Sequence, residues 1–253
     1  MQQNKSDDIW DRMFEDLSNF ARELPSPPRR CVADADRTQS NIVETVAVAW
    51  GWMQRVVRTS EAVHILGRSG YTHEAAPLRR SIMEHATRLN WAVGIGGDRL
   101  MELLLKVRAA SDARYQIAAK DGFSLDDDQL AWLSFREQEQ SDRYAEDSQL
   151  AHIGHVFNSD PSLYGATRQG WLWETARSHP TLDTAEIYYS ISDAGKVVLR
   201  DSPKNVNAVR DIKQICAYLL IAIEAYVELV GLGETHAERV QDLGIRLKET
   251  AAK

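Results

Sequence analysis

With 253 residues, 43% of them hydrophobic and 26% charged, the chain is long enough to bury a large core and ordinary in composition for a globular protein. A formal net charge of −7 argues against broad electrostatic capture of nucleic acid and leaves room only for a local arginine patch. The two cysteines, Cys31 and Cys216, fit neither a disulfide framework nor a zinc knuckle.

The opening MQQNKSDDIW has no apolar signal-peptide region, and its acids argue against a transit peptide, so a cytoplasmic location is expected. A first helix is predicted over residues 6–24, capped by Ser6, Asp7 and Asp8, with Ile9, Met13, Leu17 and Phe20 as its apolar stripe. The prolines of PSPPRR stop it and favour an extended connector. A long helix follows over about 35–66, marked by Ile42, Val46, Ala49, Met53 and Val57 and ended by GRSGY. The third helix is predicted from about residue 72 to GIGG, with Pro77 in its first turns, where the missing amide costs least. A fourth is expected over 98–120. A fifth is expected over 124–144, where Ser124 and Asp127 resemble a capping box.

From 146 to 203 the periodicity breaks up. AHIGHVFNSDP suggests a loop with a short helical turn, and SLYGATRQGWLWETARS another helix. IYYSISDAGKVVLR alternates around Asp-Ala-Gly, which fits a small hairpin. The clearest helix spans 206–230, with Val209, Ile212, Cys216, Leu219, Ile223, Val227 and Val230 on one face. Glu224 and Glu228 interrupt its apolar run and argue against a bilayer span. A charged helix runs from about 234 onward. The expected architecture is all-α: a single domain over 1–253, built as a bundle of about seven to eight helices. Its parts are an N-terminal helix and connector (1–30), a helical core (35–145), an irregular insert holding the hairpin (146–203) and C-terminal helices (205–253).

The stretch LRRSIMEHATRLNWAV carries the most informative polar residues. On a helical wheel Leu78, Ile82, Ala86, Leu89 and Val93 share one face, with His85 on its shoulder. Arg80, Glu84 and Trp91 share the opposite face, and Trp91 implies that this second face is covered too. Arg80 and Glu84 then form an (i, i+4) pair in a partly buried setting, either as a helix-bracing salt bridge or as an anion-holding arginine oriented by its carboxylate. His85 suits a hydrogen-bonded core position. A second candidate is ETARSHPTLD, where Ser178 and His179 precede Pro180 at a helix end. Trp50 and Trp52 are expected to help wall the pocket. His152 and His155 have a metal-compatible spacing but no diagnostic third ligand, and Glu224 and Glu228 lack the Glu-x-x-His motif of di-metal bundles. Neither a metal nor a cofactor is expected.

APLRRSIMEHATRLNWAV, with WLWETARSHPT far downstream, resembles an uncharacterised bacterial all-helical group that shares an Arg-Ser-x-x-Glu helix and a later Ser/His segment. The resemblance marks Arg80, Ser81, Glu84 and His179 as polar positions of that group. More loosely, Arg80-Ser-Ile-Met-Glu-His85 is similar to the arginine–histidine motif of the HEPN superfamily, helical bundles that often act as metal-independent ribonucleases in toxin and defence systems. Arg79 to His85, Arg58 to His64 and Arg68 to His73 have comparable spacing. The resemblance implies a histidine acting as general acid or base and an arginine stabilising a charged phosphorane across a dimer.

The expectation is therefore a cytosolic helical protein with a polar Arg/Glu/His pocket. It is either a HEPN-like ribonuclease or a non-enzymatic ligand-binding or scaffold module. Arg80, Glu84, His85 and His179 are the candidate catalytic residues, and Ser81, Trp91 and Ser178 the candidate ligand contacts. A homodimer and RNA are the expected partners; DNA and membrane are disfavoured.

Overall fold

A computed structural model describes residues 5–27, 37–95, 152–180, 182–193, 196–203 and 208–252. Among them run eight helices and one two-stranded sheet: α1 (Lys5–Glu23), α2 (Arg37–Arg68), α3 (Ala76–Ile95), α4 (Ile153–Ser159), α5 (Pro161–Ser178), α6 (Leu182–Glu186), β1 (Tyr189–Ile191), β2 (Val197–Leu199), α7 (Ala208–Val230) and α8 (Glu234–Ala251). The all-α bundle with a small hairpin in its insert is the observed architecture. The helices expected over 98–120 and 124–144, and Cys31, lie outside the described residues. No helix among the described residues is long and apolar enough to cross a membrane.

The most apolar helix takes the centre: α7 packs against α1, α2, α3 and α8. Ile212, Cys216, Leu219, Ile223 and Val227 are buried as their spacing requires, while Glu224 and Glu228 sit on the solvated flank. Burial raises the Cys216 thiol well above its ordinary range, so the cysteine behaves as a small apolar side chain. On α1 the buried stripe is Trp10, Met13, Phe14, Leu17, Phe20 and Ala21, with Ile9 only at its edge. The tryptophan has more apolar surface to bury and so draws the helix round.

The third helix begins at Ala76 rather than near Thr72, for a backbone reason. Pro77 has no N–H to give to the His73 carbonyl, so Ala76 N–H bonds His73 O at 3.1 Å in its place. That leaves Thr72 O for a side chain, and Arg79 Nη1 takes it at 2.6 Å.

Arg79 is the unexpected residue of the fold. It shares the buried face of α3 with Ile82, Met83 and Ala86, while Leu78 is only half-buried. Its guanidinium donates to Asp211 Oδ2 on α7 at 2.7 Å and to Glu174 Oε2 on α5 at 2.9 Å; Nε has no partner. The three side chains are 0%, 8% and 3% exposed, so one cation and two carboxylates join three helices in the dry interior. Two further links join α3 to α5 in antiparallel order: Trp171 Nε1 donates to Glu84 Oε1 at 2.7 Å, and Tyr164 Oη to Asn90 Oδ1 at 3.0 Å. Gly170 permits the close approach, since a Cβ there would lie 2.9 Å from Met83 Cε.

Replacing Arg79 with leucine strands two buried carboxylates. Urea unfolding should show a loss of about 3–5 kcal/mol, and the triple replacement Arg79→Leu, Glu174→Leu, Asp211→Leu should lose less than Arg79→Leu alone.

Candidate functional site

The site lies where the C-terminus of α5 meets the first turns of α3. Asp160 caps α5 by accepting from the Ser162 and Leu163 amides at 3.0 and 3.1 Å, and Pro161 occupies the first helical turn. The Ser162 hydroxyl bond, with the amide bonds, holds the Asp160 carboxyl below its usual range. At the other end Pro180 disfavours helix at the residue before it, so the chain leaves α5 at His179 in an extended conformation. Ser178 Oγ donates back to Glu174 O at 2.6 Å, and Thr184 Oγ1 donates to His179 O at 3.2 Å. These bonds fix the exit and leave the His179 ring exposed at the rim.

Across from it, Arg80 Nε donates to Glu84 Oε1 at 2.9 Å, and the guanidinium lies over the Trp171 ring, 5.0 Å from its centroid. Glu84 Oε1 thus receives both Arg80 and the Trp171 indole. Arg80 Nη1 reaches His179 Nε2 at 3.2 Å. A guanidinium only donates, so the imidazole nitrogen accepts and its proton sits on Nδ1. The Arg80 and Glu84 side chains are 28% and 22% exposed, at the boundary of the bundle.

The structure brings Arg80, Glu84 and His179 together and holds His85 apart. Five residues after Arg80, the His85 side chain leaves α3 about 140° round the helix. It packs edge-on to Trp52 of α2, with centroids 6.5 Å apart. Its Nδ1–H donates to Ser81 O at 2.7 Å, while Ser81 Oγ is 3.5 Å away. Burial lowers the His85 pKa, the Ser81 carbonyl only partly offsetting it, so the ring is neutral at neutral pH. Trp91 is buried, as the covered second face requires, but against His155 at 6.2 Å and the α4–α5 cluster. The tryptophans expected to wall a pocket lie elsewhere as well. Trp50 packs on Tyr226 at 5.6 Å and Trp52 on His85, and the tryptophan that covers Arg80 is Trp171.

Two residues of the other arginine–histidine spacings serve the frame. Asp11 of α1 accepts from His64 at 2.8 Å and from Arg68 at 2.7 Å, clasping α2. No three metal-ligating side chains come together among the described residues. Sequence patterning overlooked Trp171, Glu174, Asp211 and Arg79. The available signal was the α5 stripe Tyr164, Trp171, Glu174, Ser178, whose i, i+7, i+10, i+14 spacing sets a carboxylate among aromatic residues.

Beneath the rim the buried triad is electrostatically strained. Burial raises the Asp211 pKa from 3.8 to about 6, with Arg79, Arg177 and Arg210 pulling it down and Glu174 pushing it up. Burial likewise lowers the Arg177 pKa, and its guanidinium stacks on Trp173 at 4.9 Å. No family model matches this chain, and no curated protein or solved structure is similar to it.

In the unfolded chain Asp211 releases its proton near 3.8, whereas the folded chain keeps it to about 6. Over that window the folded state binds more protons, so Asp211 contributes progressively less stability as pH rises. In thermal melts taken at pH values across the window, the Tm difference between Asp211→Asn and wild type should move in the variant's favour as pH rises.

Proposed function

We propose that this chain is a helical binding protein that takes an anionic group on the outer edge of Arg80, with His179 as a second donor. The observation that carries this reading is the way Arg80 is held. Glu84 engages only Nε and Trp171 underlies the plane, so the fork is oriented but its Nη edge is not consumed by a carboxylate. Ordered in advance, Arg80 loses little freedom when a phosphate or carboxylate arrives. His179, exposed at the helix end, turns an N–H onto the same anion once its nitrogen is released from Arg80.

The ribonuclease alternative rests on the Arg80–His85 spacing, and the placement of His85 against Trp52 does not support that pair as one centre. Any cleavage chemistry here falls to Arg80 with His179.

Titration calorimetry with inorganic phosphate, a nucleoside monophosphate and a short RNA tests the reading, alongside RNA integrity in the presence of chelator. Binding should occur without cleavage, weaken with salt, and fall by about tenfold or more in Arg80→Ala. Glu84→Gln should weaken it less, and the Tm of Arg80→Ala should stay close to wild type. Equal binding by Arg80→Ala would sink the proposal. So would the absence of binding together with a much lower Tm, which would make Arg80–Glu84 a structural brace. Chelator-resistant cleavage lost in His179→Ala would put the ribonuclease in its place.

A further inference from the structure

A separate groove lies far along the chain, on the α7–α8 hairpin. The chain leaves α7 through Gly231, whose φ of +66° suits the absence of a side chain, and returns as α8. Between the two helices runs an open groove of about 760 Å³, walled by Leu220, Val227, Leu232, Val240 and Ile245. Glu224 and Glu228, one turn apart on α7, form one rim.

Three local rules are broken at this groove. Glu224 and Glu228 repel each other as a like-charged (i, i+4) pair. Glu228 stands in the last turn of α7, where the helix dipole disfavours a carboxylate and no basic residue compensates. Gly244 sits in the interior of α8, where glycine costs helix stability relative to alanine. Packing within the chain does not demand that glycine, because a Cβ there would lie an ordinary 3.7 Å from Leu220 Cδ2. Its missing side chain keeps the groove open instead. The two acids of α1 that face α8 are paired. Asp16 and Glu23 of α1 are paired with Arg246 and Arg239 of α8, which turns both arginines away from the groove. Glu224 and Glu228 are exposed and make no hydrogen bond or ion pair among the described residues. Lys248 is the single cation among the described lining residues. Local costs gathered on one surface mark a surface selected for something other than stability.

We propose that the α7–α8 groove is a docking site for a basic amphipathic helix of a partner protein. Its apolar residues fill the groove, and two cationic side chains one turn apart meet Glu224 and Glu228. The occupant relieves the carboxylate repulsion, and the absent Gly244 side chain makes room for it. The site is separate from Arg80 and carries the opposite charge preference.

The test uses the full chain and a fluorescent helical peptide of leucine and lysine in amphipathic spacing, with its leucine–glutamate counterpart as a second probe. Anisotropy should show binding of the basic peptide and not the acidic one. Glu224→Gln with Glu228→Gln should weaken it about tenfold or more. Gly244→Leu should weaken it similarly while melting no lower than wild type. Glu238→Gln with Glu249→Gln, which removes the same charge elsewhere on α8, should leave affinity unchanged. Equal weakening by this control pair would mean non-specific capture by an acidic chain and overturn the proposal, as would a failure of the basic peptide to bind. Sedimentation showing a wild-type dimer that Glu224→Gln with Glu228→Gln dissociates would overturn it in favour of a second copy in the groove.

Discussion

One buried guanidinium organises this fold. Arg79 is fully buried, so its position is tolerable only where carboxylates and a carbonyl reach it together. Glu174 brings α5 to that point, Asp211 brings α7, and Thr72 O brings the turn before α3. The triad adds little net stability over an apolar core of the same shape, but it specifies which helices meet and in what register. A slip of α5 along α3 would leave at least one charge unpaired.

The surface site follows from that constraint. Adjacent residues of a helix point about 100° apart, so turning Arg79 inward between α5 and α7 sends Arg80 to the flank of α5. Glu174 and Trp171 lie on one face of α5, so the helix that reaches Arg79 with one also covers Arg80 and Glu84 with the other. His179 closes the rim because Pro180 ends the helix there. Interior and rim therefore form a continuous polar layer, with the charge strain kept below and the open guanidinium edge above.

The two proposed sites are of opposite charge. At the α3–α5 rim an arginine is oriented and left with donor capacity; at the α7–α8 groove two carboxylates have no partner among the described residues. Several surface charges elsewhere are used in clasps between helices: Asp11 with His64 and Arg68, Glu61 with Arg22, Glu23 with Arg239.

By itself the sequence determined the helices, because apolar periodicity, prolines, glycines and capping residues act within a few residues along the chain. The all-α class, the hairpin in the insert, the central burial of α7 and the solvated flank of Glu224 and Glu228 were all legible that way. So was the Arg80–Glu84 pair, whose partners are one turn apart. Tertiary structure alone decided which arginine is buried and which is open. Arg79 and Arg80 are adjacent and chemically identical, and their fates depend on carboxylates 95 and 132 residues away from Arg79. The same holds for the imidazole beside Arg80. Spacing along one helix offered His85, but five residues turn a side chain to another neighbour, and only the packing of α5 on α3 could bring His179 across. Periodicity fixes which way a side chain leaves its own helix; what it meets there is set by the other helices, and that information is not local.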